Sequence, residues 1–498
     1  MTRRWLSVPF VAAVGIYACG PATPDLQILH DAAEAMGSER AVREATTLVL
    51  EGKGRAYRLG QNKSPTSDLT YFEVASYKRE VDLTNGRMRV EMVRNPAYLT
   101  GNPIFGEKVV QGLDGDVAYN VTPEGEQSRA AEQAARDRRA ELYHHPVALI
   151  HLAIKDGSTA TASNLRQEEG QEVVDITAPT GEIFTLYIAS DTKLPARVVS
   201  SSYDVNLGDV KVTTAFADYA ETGGLGGFQA RLSLPRQITT MIDRYTLADW
   251  RVTSNINSQI GDLTASDALR SASPPAFAAN VQVEELATGV WALGGQSHNS
   301  VLVEFPTYAV VIEAPQNETR TLAVIQKVKE LVPNKPLQYV INTHHHFDHS
   351  GGVRAAVAEG LTVITHEINR PFFEEIISRP HTLFADHLSK SPKPLVLQTV
   401  TGDEKFELRD GNRSLEAYRI AGDLHNDGNL MIYLPRERLL VQADVFAANA
   451  REAPFASNLL KNVQDRKLRV DRIVGIHGPI ATFAQLEEVA KKAAARTD

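Results

Sequence analysis

One cysteine is all that this 498-residue sequence holds. It can form no internal disulfide, so the fold must rest on packing and hydrogen bonds. Cationic runs are equally scarce: 52 Lys and Arg stand against 61 Asp and Glu, a formal net charge of −9. A nucleic-acid binder needs a concentrated basic face, so DNA and RNA are excluded as partners. Missing too is an apolar run of the roughly 20 residues that a membrane-spanning helix requires. What remains is a globular composition, 43% hydrophobic and 23% charged. Single cores stop growing at about 250–300 residues, so this length predicts more than one domain.

The chain starts with a short basic region, MTRRW, followed by the apolar stretch LSVPFVAAVGIYA, which ends at Cys19. That order is the pattern of an export leader. IYACG resembles a bacterial lipoprotein processing site, which implies lipidation of Cys19 and attachment to a membrane. Tyr17 departs from that pattern, and plain cleavage near Ala18 or Ala22 is the alternative. Residues 1–19 are expected to be a leader, and the mature protein exported, either periplasmic or membrane-anchored.

Residues 25–270 read as a β-rich domain. A helical stretch, DLQILHDAAEAMGSERAVREA, gives way to alternating segments such as LTYFEVASYKREVDL, separated by Gly, Asn or Asp turns, the pattern of an antiparallel meander. A helix over SRAAEQAARDRRAELYHHPVALIHLAIKDG interrupts it, and His144, His145 and His151 are expected to be surface or helix residues. The order helix, strands, helix, strands resembles the lipoprotein-carrier type of fold, which implies an antiparallel half-barrel covered by helices. SASPPAFAAN, at 271–280, reads as a linker. From 281 to 498 apolar strands alternate with amphipathic helices, which predicts an α/β domain, its last helix opened by a capping box at Thr482 and Gln485.

The chemistry concentrates in NTHHHFDHSGG at 342–352. In an extended segment side chains alternate, so His344 and His346 point one way and His345 the other. Asp348 and His349 follow at a turn, and Gly351 and Gly352 let backbone pass close. Imidazoles beside a carboxylate, straight after a buried-type strand, point to a divalent metal.

H-x-H-x-D-H resembles the signature of the metallo-β-lactamase superfamily. The resemblance covers roughly residues 281–498 and implies a four-layer αββα sandwich with three further ligands. His425 in AGDLHNDGN, Asp444 in LLVQADVF and His477 in VGIHGPI stand in the order implied. On the family pattern His344, His346 and His425 hold one ion, Asp348, His349 and His477 a second, and Asp444 bridges them. His298 in GGQSHNS and His366 in VITHE could face the site, with packing or a solvent-facing position at least as good a reading.

A pair of ions about 3.5–4 Å apart lowers the pKa of a bridging water towards about 7, and Asp348 could orient that water. The resemblance therefore implies a hydrolase with two Zn2+ per chain, iron or manganese being the alternatives, acting on an ester, lactone, thioester or amide. Lactamase subclasses with a cysteine ligand are excluded, because Cys19 belongs to the leader. True β-lactamase activity, an iron-dependent oxidoreductase on the same fold, and a lipid- or amphiphile-binding envelope protein are the rival readings. The expected partner is a small-molecule substrate, a hydrophobic one included; Phe372, Phe373, Phe384, Phe446 and Phe455 are candidates for an apolar wall. Oligomeric state is left open.

Overall fold

The computed structural model describes residues 23–222, 231–276 and 279–494. The expected leader with Cys19 lies outside them, as do Phe277 and Ala278 of the expected linker. Thirteen strands between Thr47 and Ile256 form one antiparallel sheet. Its first strand, Thr47–Tyr57, pairs at the centre with its last, Tyr245–Ile256. The chain meanders outward to the edge strand Gln127–Arg129, crosses to the opposite edge at Thr161–Glu168, and meanders back. That crossing is made by helices Glu132–Tyr143 and Pro146–Ile154, which with Pro24–Ala35 pack on the sheet around Leu29, Leu50, Val81, Leu142, Leu149, Phe184 and Leu186.

Two expectations need correction here. The long helix over residues 128–157 is broken at His144 and His145. Proline disfavours helical backbone in the residue before it, and His145 is accordingly extended (φ −146°, ψ 137°), with Pro146 opening a second helix. Of the three histidines expected on the surface or in the helix, His151 does lie in a helix, and all three are buried. Every residue of Pro146–Ile154 is buried under the sheet, and His144 fits between Thr214 Oγ1 and Ser200 Oγ, both at 2.8 Å. Burial, reinforced by Arg79, pushes the His144 imidazole down to about 3.

The rest of the chain forms two sheets face to face. Seven strands from Gln282–Ala287 to Leu397–Val400 make the first, which starts as hairpins and turns parallel from Ala309–Ile312 onward. Six strands from Phe406–Asp410 to Ala481–Thr482 make the second. Between them lie Val301, Val310, Ile312, Ile341 and Ile364 against Leu415, Ile432, Val441 and Val474, all fully buried. Buried parallel strands cannot alternate, which is why AVVI and the end of LQYVI read as continuous apolar runs. Helices Glu318–Leu331 and Val353–Ala358 cover the first sheet, Ala456–Asp465 and Phe483–Ala494 the second, which completes an αββα sandwich. The capping box forms as its spacing predicts: Gln485 Oε1 accepts from Thr482 N (2.8 Å) and Thr482 Oγ1 from Gln485 N (3.3 Å).

The large sheet and the sandwich share one apolar cluster. Leu207, Val210 and Ile242 pack with Phe372, Phe373 and Ile376. Arg379 adds ion-paired contacts to Asp243, and Arg244 to Glu375 at 2.7 Å.

Candidate metal centre

The site forms where the strands of both sandwich sheets end. Strand Leu337–Ile341 runs into Asn342, Thr343 and His344, and the short helix Phe347–Ser350 starts directly after His346. Gly351 and Gly352 are needed for space rather than for unusual dihedrals. A Cβ on Gly352 would stand 1.8 Å from Thr321 Oγ1, and one on Gly351 2.1 Å from Gln316 O. Asp444 follows strand Leu439–Gln442 with φ +65°, a left-handed backbone that Asp tolerates better than most residues. His425 is set by the turn after Arg413–Arg419, where Asp423 Oδ1 accepts from its backbone N–H (2.9 Å). His477 follows strand Arg472–Gly475.

All seven sequence-predicted residues come together, in two groups. Ligand atoms of His344, His346, His425 and Asp444 lie within 4.8 Å of one another, and so do those of Asp348, His349, His477 and His298. Asp444 touches both groups: its Oδ2 is 3.6 Å from His344 Nε2, 3.0 Å from His425 Nε2 and 3.2 Å from His349 Nε2, and its Oδ1 is 3.2 Å from His477 Nε2. Ligands of a tetrahedral ion with bonds of about 2.0–2.1 Å stand about 3.3 Å apart, so these spacings are those of a metal cage.

The hydrogen bonds say which nitrogens are free. His346 Nε2 bonds Asn62 O (2.9 Å), His477 Nδ1 bonds Ser297 O (3.0 Å) and His349 Nδ1 bonds Glu313 Oε2 (3.1 Å). Because a carbonyl or carboxylate only accepts, each contact puts the proton on that nitrogen and turns the other, as a lone pair, to the centre. Correspondingly, His344 Nε2, His346 Nδ1, His425 Nε2 and His298 Nε2 are buried and make no hydrogen bond among the described residues. Buried orphan nitrogens converging on a carboxylate fit a cation and little else. Electrostatics agree. Burial opposes a charge on Asp348, yet the imidazoles of His349, His298 and His477 hold its carboxyl far below the usual range. Burial likewise opposes protonation of His349, but Asp444, Asp348 and Glu313 raise it well above an ordinary imidazole, so this corner of the site attracts positive charge.

Residues 293–462 match the family model described as the metallo-beta-lactamase superfamily. Within the sandwich, this stretch is similar to metallo-beta-lactamase superfamily domains. The chain is similar to the 2,4-dinitroanisole O-demethylase subunit alpha of Nocardioides sp. (strain JS1661), 23% identical over 155 residues, 31% of this chain. It spans 43% of that curated relative's length. Among solved structures it is similar to metallo-beta-lactamases from Pontibacter korlensis (19% identity, 43% of this chain and 99% of that one, TM-score 0.34) and Hirschia baltica (18%, 43% and 97%, 0.35).

Around this centre the structure places residues that sequence reasoning left open or passed over. His298, which could face the site or merely pack, does face it: its ring meets that of His477 edge-on with centroids 4.0 Å apart, and its Nε2 lies 3.4 Å from Asp348 Oδ2. Glu313 is fully buried and also accepts from Asn342 Nδ2 (2.6 Å) and Thr343 Oγ1 (2.6 Å). Its signal was present in VVIEAP, a wholly apolar strand ending on a carboxylate. The β-rich domain contributes a wall: Gln61 Nε2 donates to Asp348 Oδ1 (2.7 Å), and Asn62 holds His346 through its carbonyl and His345 through Oδ1 (3.2 Å). Gly60 makes that approach feasible, since a Cβ there would lie 2.0 Å from Phe347 Cδ1.

A cavity of about 240 Å3 opens on Asp348, His425, Asp444 and His477. Its far side is built by Arg58, Tyr98 and Leu99 of the β-rich domain, and its sandwich side by Phe446 and Phe455. The rim is closed where Glu452 N donates to Gly101 O (3.0 Å). Of the five phenylalanines expected at an apolar wall, Phe446 and Phe455 line the cavity. Phe372 and Phe373 are core, and Phe384 packs half-exposed on Tyr203. His366 bonds Gly402 O (2.9 Å), and His345 is buried among Asn62, Asn369 and Asn426.

Proposed function

We propose that this protein is a metal-dependent hydrolase that uses two zinc ions per chain to cleave an ester, lactone, thioester or amide bond of a small substrate. The observation that carries this reading is the contact of Asp444 with both ligand groups, the first of which presents the unpartnered nitrogens of His344, His346 and His425. His344, His346 and His425 would hold one ion, Asp348, His349 and His477 the other, with Asp444 between them. Bound there, two divalent ions would supply a hydroxide-strength water near neutral pH and polarise the bond under attack.

The protein's own groups do the remainder. Gln61 fixes Asp348 by its Oδ1, which leaves Oδ2 to accept a hydrogen bond from the attacking water and set its direction. Phe446, Phe455 and Val445 present apolar surface to the cavity, which strips bulk water from the substrate and strengthens every polar contact inside. The β-rich domain, through Gln61 and Asn62, orients ligands of both groups, so the hydrolytic centre needs both halves of the chain. Export, with attachment through a lipidated Cys19, belongs to the same proposal and is supported by the leader pattern of residues 1–19.

Metal analysis of the purified chain tests the reading. Two zinc ions per chain are expected, and Asp444→Ala should lower that number and abolish turnover. The substrate panel should span esters, lactones, thioesters and amides, and include an aryl methyl ether because the curated relative is named for 2,4-dinitroanisole. Less than one bound divalent ion, with no turnover on the panel, would sink the proposal; iron with oxygen uptake would replace it by an oxidoreductase.

A further inference from the structure

The cavity wall contributed by the β-rich domain holds one guanidinium. Arg58 follows directly on strand Thr47–Tyr57 and lines the cavity opposite Asp348, Asp444 and His477. Its charge is placed with care. The guanidinium lies 4.1 Å from the centroid of the Tyr98 ring, and its NH2 donates to Gln61 Oε1 (3.1 Å). These two contacts fix its plane while leaving other N–H groups undirected, since an Arg fork carries five. Among the described residues no carboxylate comes within ion-pair range of it, although 61 Asp and Glu are available in the sequence. Glu452, the carboxylate at the rim, is exposed and meets the β-rich domain through its backbone.

Burying a cation costs free energy unless something compensates it. Burial does depress the Arg58 guanidinium, and Tyr98, Asp348 and Asp444 offset that only in part. The two aspartates cannot be the reason for its presence once the centre is loaded, because two divalent ions carry more positive charge than two carboxylates carry negative. Arg58 then adds a further positive charge to a site already positive. In a cleft with low-dielectric walls such a field concentrates anions.

We infer that Arg58 is an anion-recognition residue: the substrate carries an anionic oxygen group, such as a carboxylate, which the free edge of the Arg58 guanidinium holds while the scissile bond lies over the ligand groups. This deepens the proposed hydrolase reading and rests on it. It also gives the β-rich domain a role in choosing the substrate. The specificity residue lies outside the metallo-beta-lactamase domain, brought to it by the 58–62 segment that also pins Asp348 and His346.

The test compares near-isosteric ligands that differ by one charge. Succinate and butyrate are titrated calorimetrically into the zinc-loaded full chain, wild type, Arg58→Gln and Arg58→Lys. A carboxylate is available to the ions in both, so a preference for succinate isolates its second carboxylate. At least 10-fold tighter binding of succinate is expected in the wild type, a ratio near 1 in R58Q and an intermediate ratio in R58K. In parallel, kcat/KM is measured for 4-nitrophenyl hydrogen succinate and 4-nitrophenyl butyrate; the ratio between the two esters should collapse in R58Q through a higher KM for the anionic one. Equal binding by the wild type, or a succinate preference that survives in R58Q, overturns the inference. Should no variant cleave either ester, the hydrolase reading fails for esters, and the calorimetric ratio still decides the role of Arg58. Metal content equal to wild type certifies that each variant is folded.

Discussion

Replacing Glu313 by Gln changes no shape and moves one charge, which makes it a sharp probe of the second ligand group. Glu313 Oε1 accepts from Asn342 Nδ2 at 2.6 Å and Thr343 N at 3.2 Å; its Oε2 accepts from Thr343 Oγ1 at 2.6 Å and His349 Nδ1 at 3.1 Å. An amide has one oxygen for these two sites. If its NH2 takes the Oε2 position, it confronts His349 Nδ1–H donor to donor. The imidazole then relaxes by moving its proton to Nε2, the nitrogen that must face Asp444 at 3.2 Å with a lone pair. If the amide flips, the NH2 confronts Asn342 Nδ2 and Thr343 N instead, and two buried donors lose their acceptor. Either way a charge-assisted hydrogen bond of about 1.5–3 kcal/mol is lost at a metal-orienting residue. At about 1.4 kcal/mol per decade, affinity at the Asp348, His349 and His477 group should fall about 10- to 100-fold. His344, His346 and His425 make no contact with Glu313 other than through Thr343, whose Oγ1 stays within reach of His344 Nδ1 at 3.0 Å, so their group should keep its affinity within about 3-fold. Competitive zinc titration against a chromophoric chelator resolves the two steps. An equal loss at both groups, or no loss at either, would refute the claim that Glu313 acts through the His349 tautomer and reduce it to a tie between strand ends. Glu313→Ala, which removes the acceptor of four buried hydrogen bonds, should by contrast unfold the protein at markedly lower denaturant.

Two further outcomes follow from packing and burial. Gly60→Ala forces a Cβ to within 2.0 Å of the Phe347 ring at φ +67°; it should lower stability by about 1–3 kcal/mol in chemical denaturation and raise KM, because the segment bearing Arg58 and Gln61 is displaced. For His144, the folded imidazole titrates at about 3 against about 6.5 when unfolded, so the unfolded chain binds the extra proton between those values. Stability is therefore unaffected by His144 above about pH 6.5 and falls by about 1.4 kcal/mol per unit as pH drops below it. His144→Gln should remove that contribution and flatten the acid limb of a stability-versus-pH curve; an unchanged slope would contradict the neutral buried imidazole.

How much of this was legible beforehand depends on whether a signal is local. The H-x-H-x-D-H stretch, and the turns bearing His425, Asp444 and His477, are ligand patterns written within a few residues of strand ends, and the structure gathers all seven. Alternating and continuous apolar runs likewise specify strands and their exposure, because side-chain period and burial act residue by residue. The break at His145 was available too, since Pro146 restricts it whatever the tertiary context, and there the reading gave way to helical composition.

Other features have no local signature. Arg58, Gln61 and Asn62 sit in an ordinary polar turn, RLGQN, and nothing nearby in the sequence distinguishes it from a solvated loop. Their place at the centre is decided by the docking of the β-rich sheet through Leu207, Val210 and Ile242 onto Phe372, Phe373 and Ile376. It also requires the missing Cβ of Gly60. His144, at the end of a charged helix, and His151, in the apolar segment after it, become buried because the helices that bridge the two edges of the thirteen-stranded sheet pack on it. The sequence by itself thus singled out the seven candidate ligands, because metal chemistry constrains residue type and local spacing. Which tautomer each ligand adopts, and which side chains line the cavity above it, was decided by tertiary structure alone. Those choices depend on hydrogen-bond partners and cavity walls drawn from segments almost 300 residues apart, such as Gln61 and Asp348, separated by 287 positions.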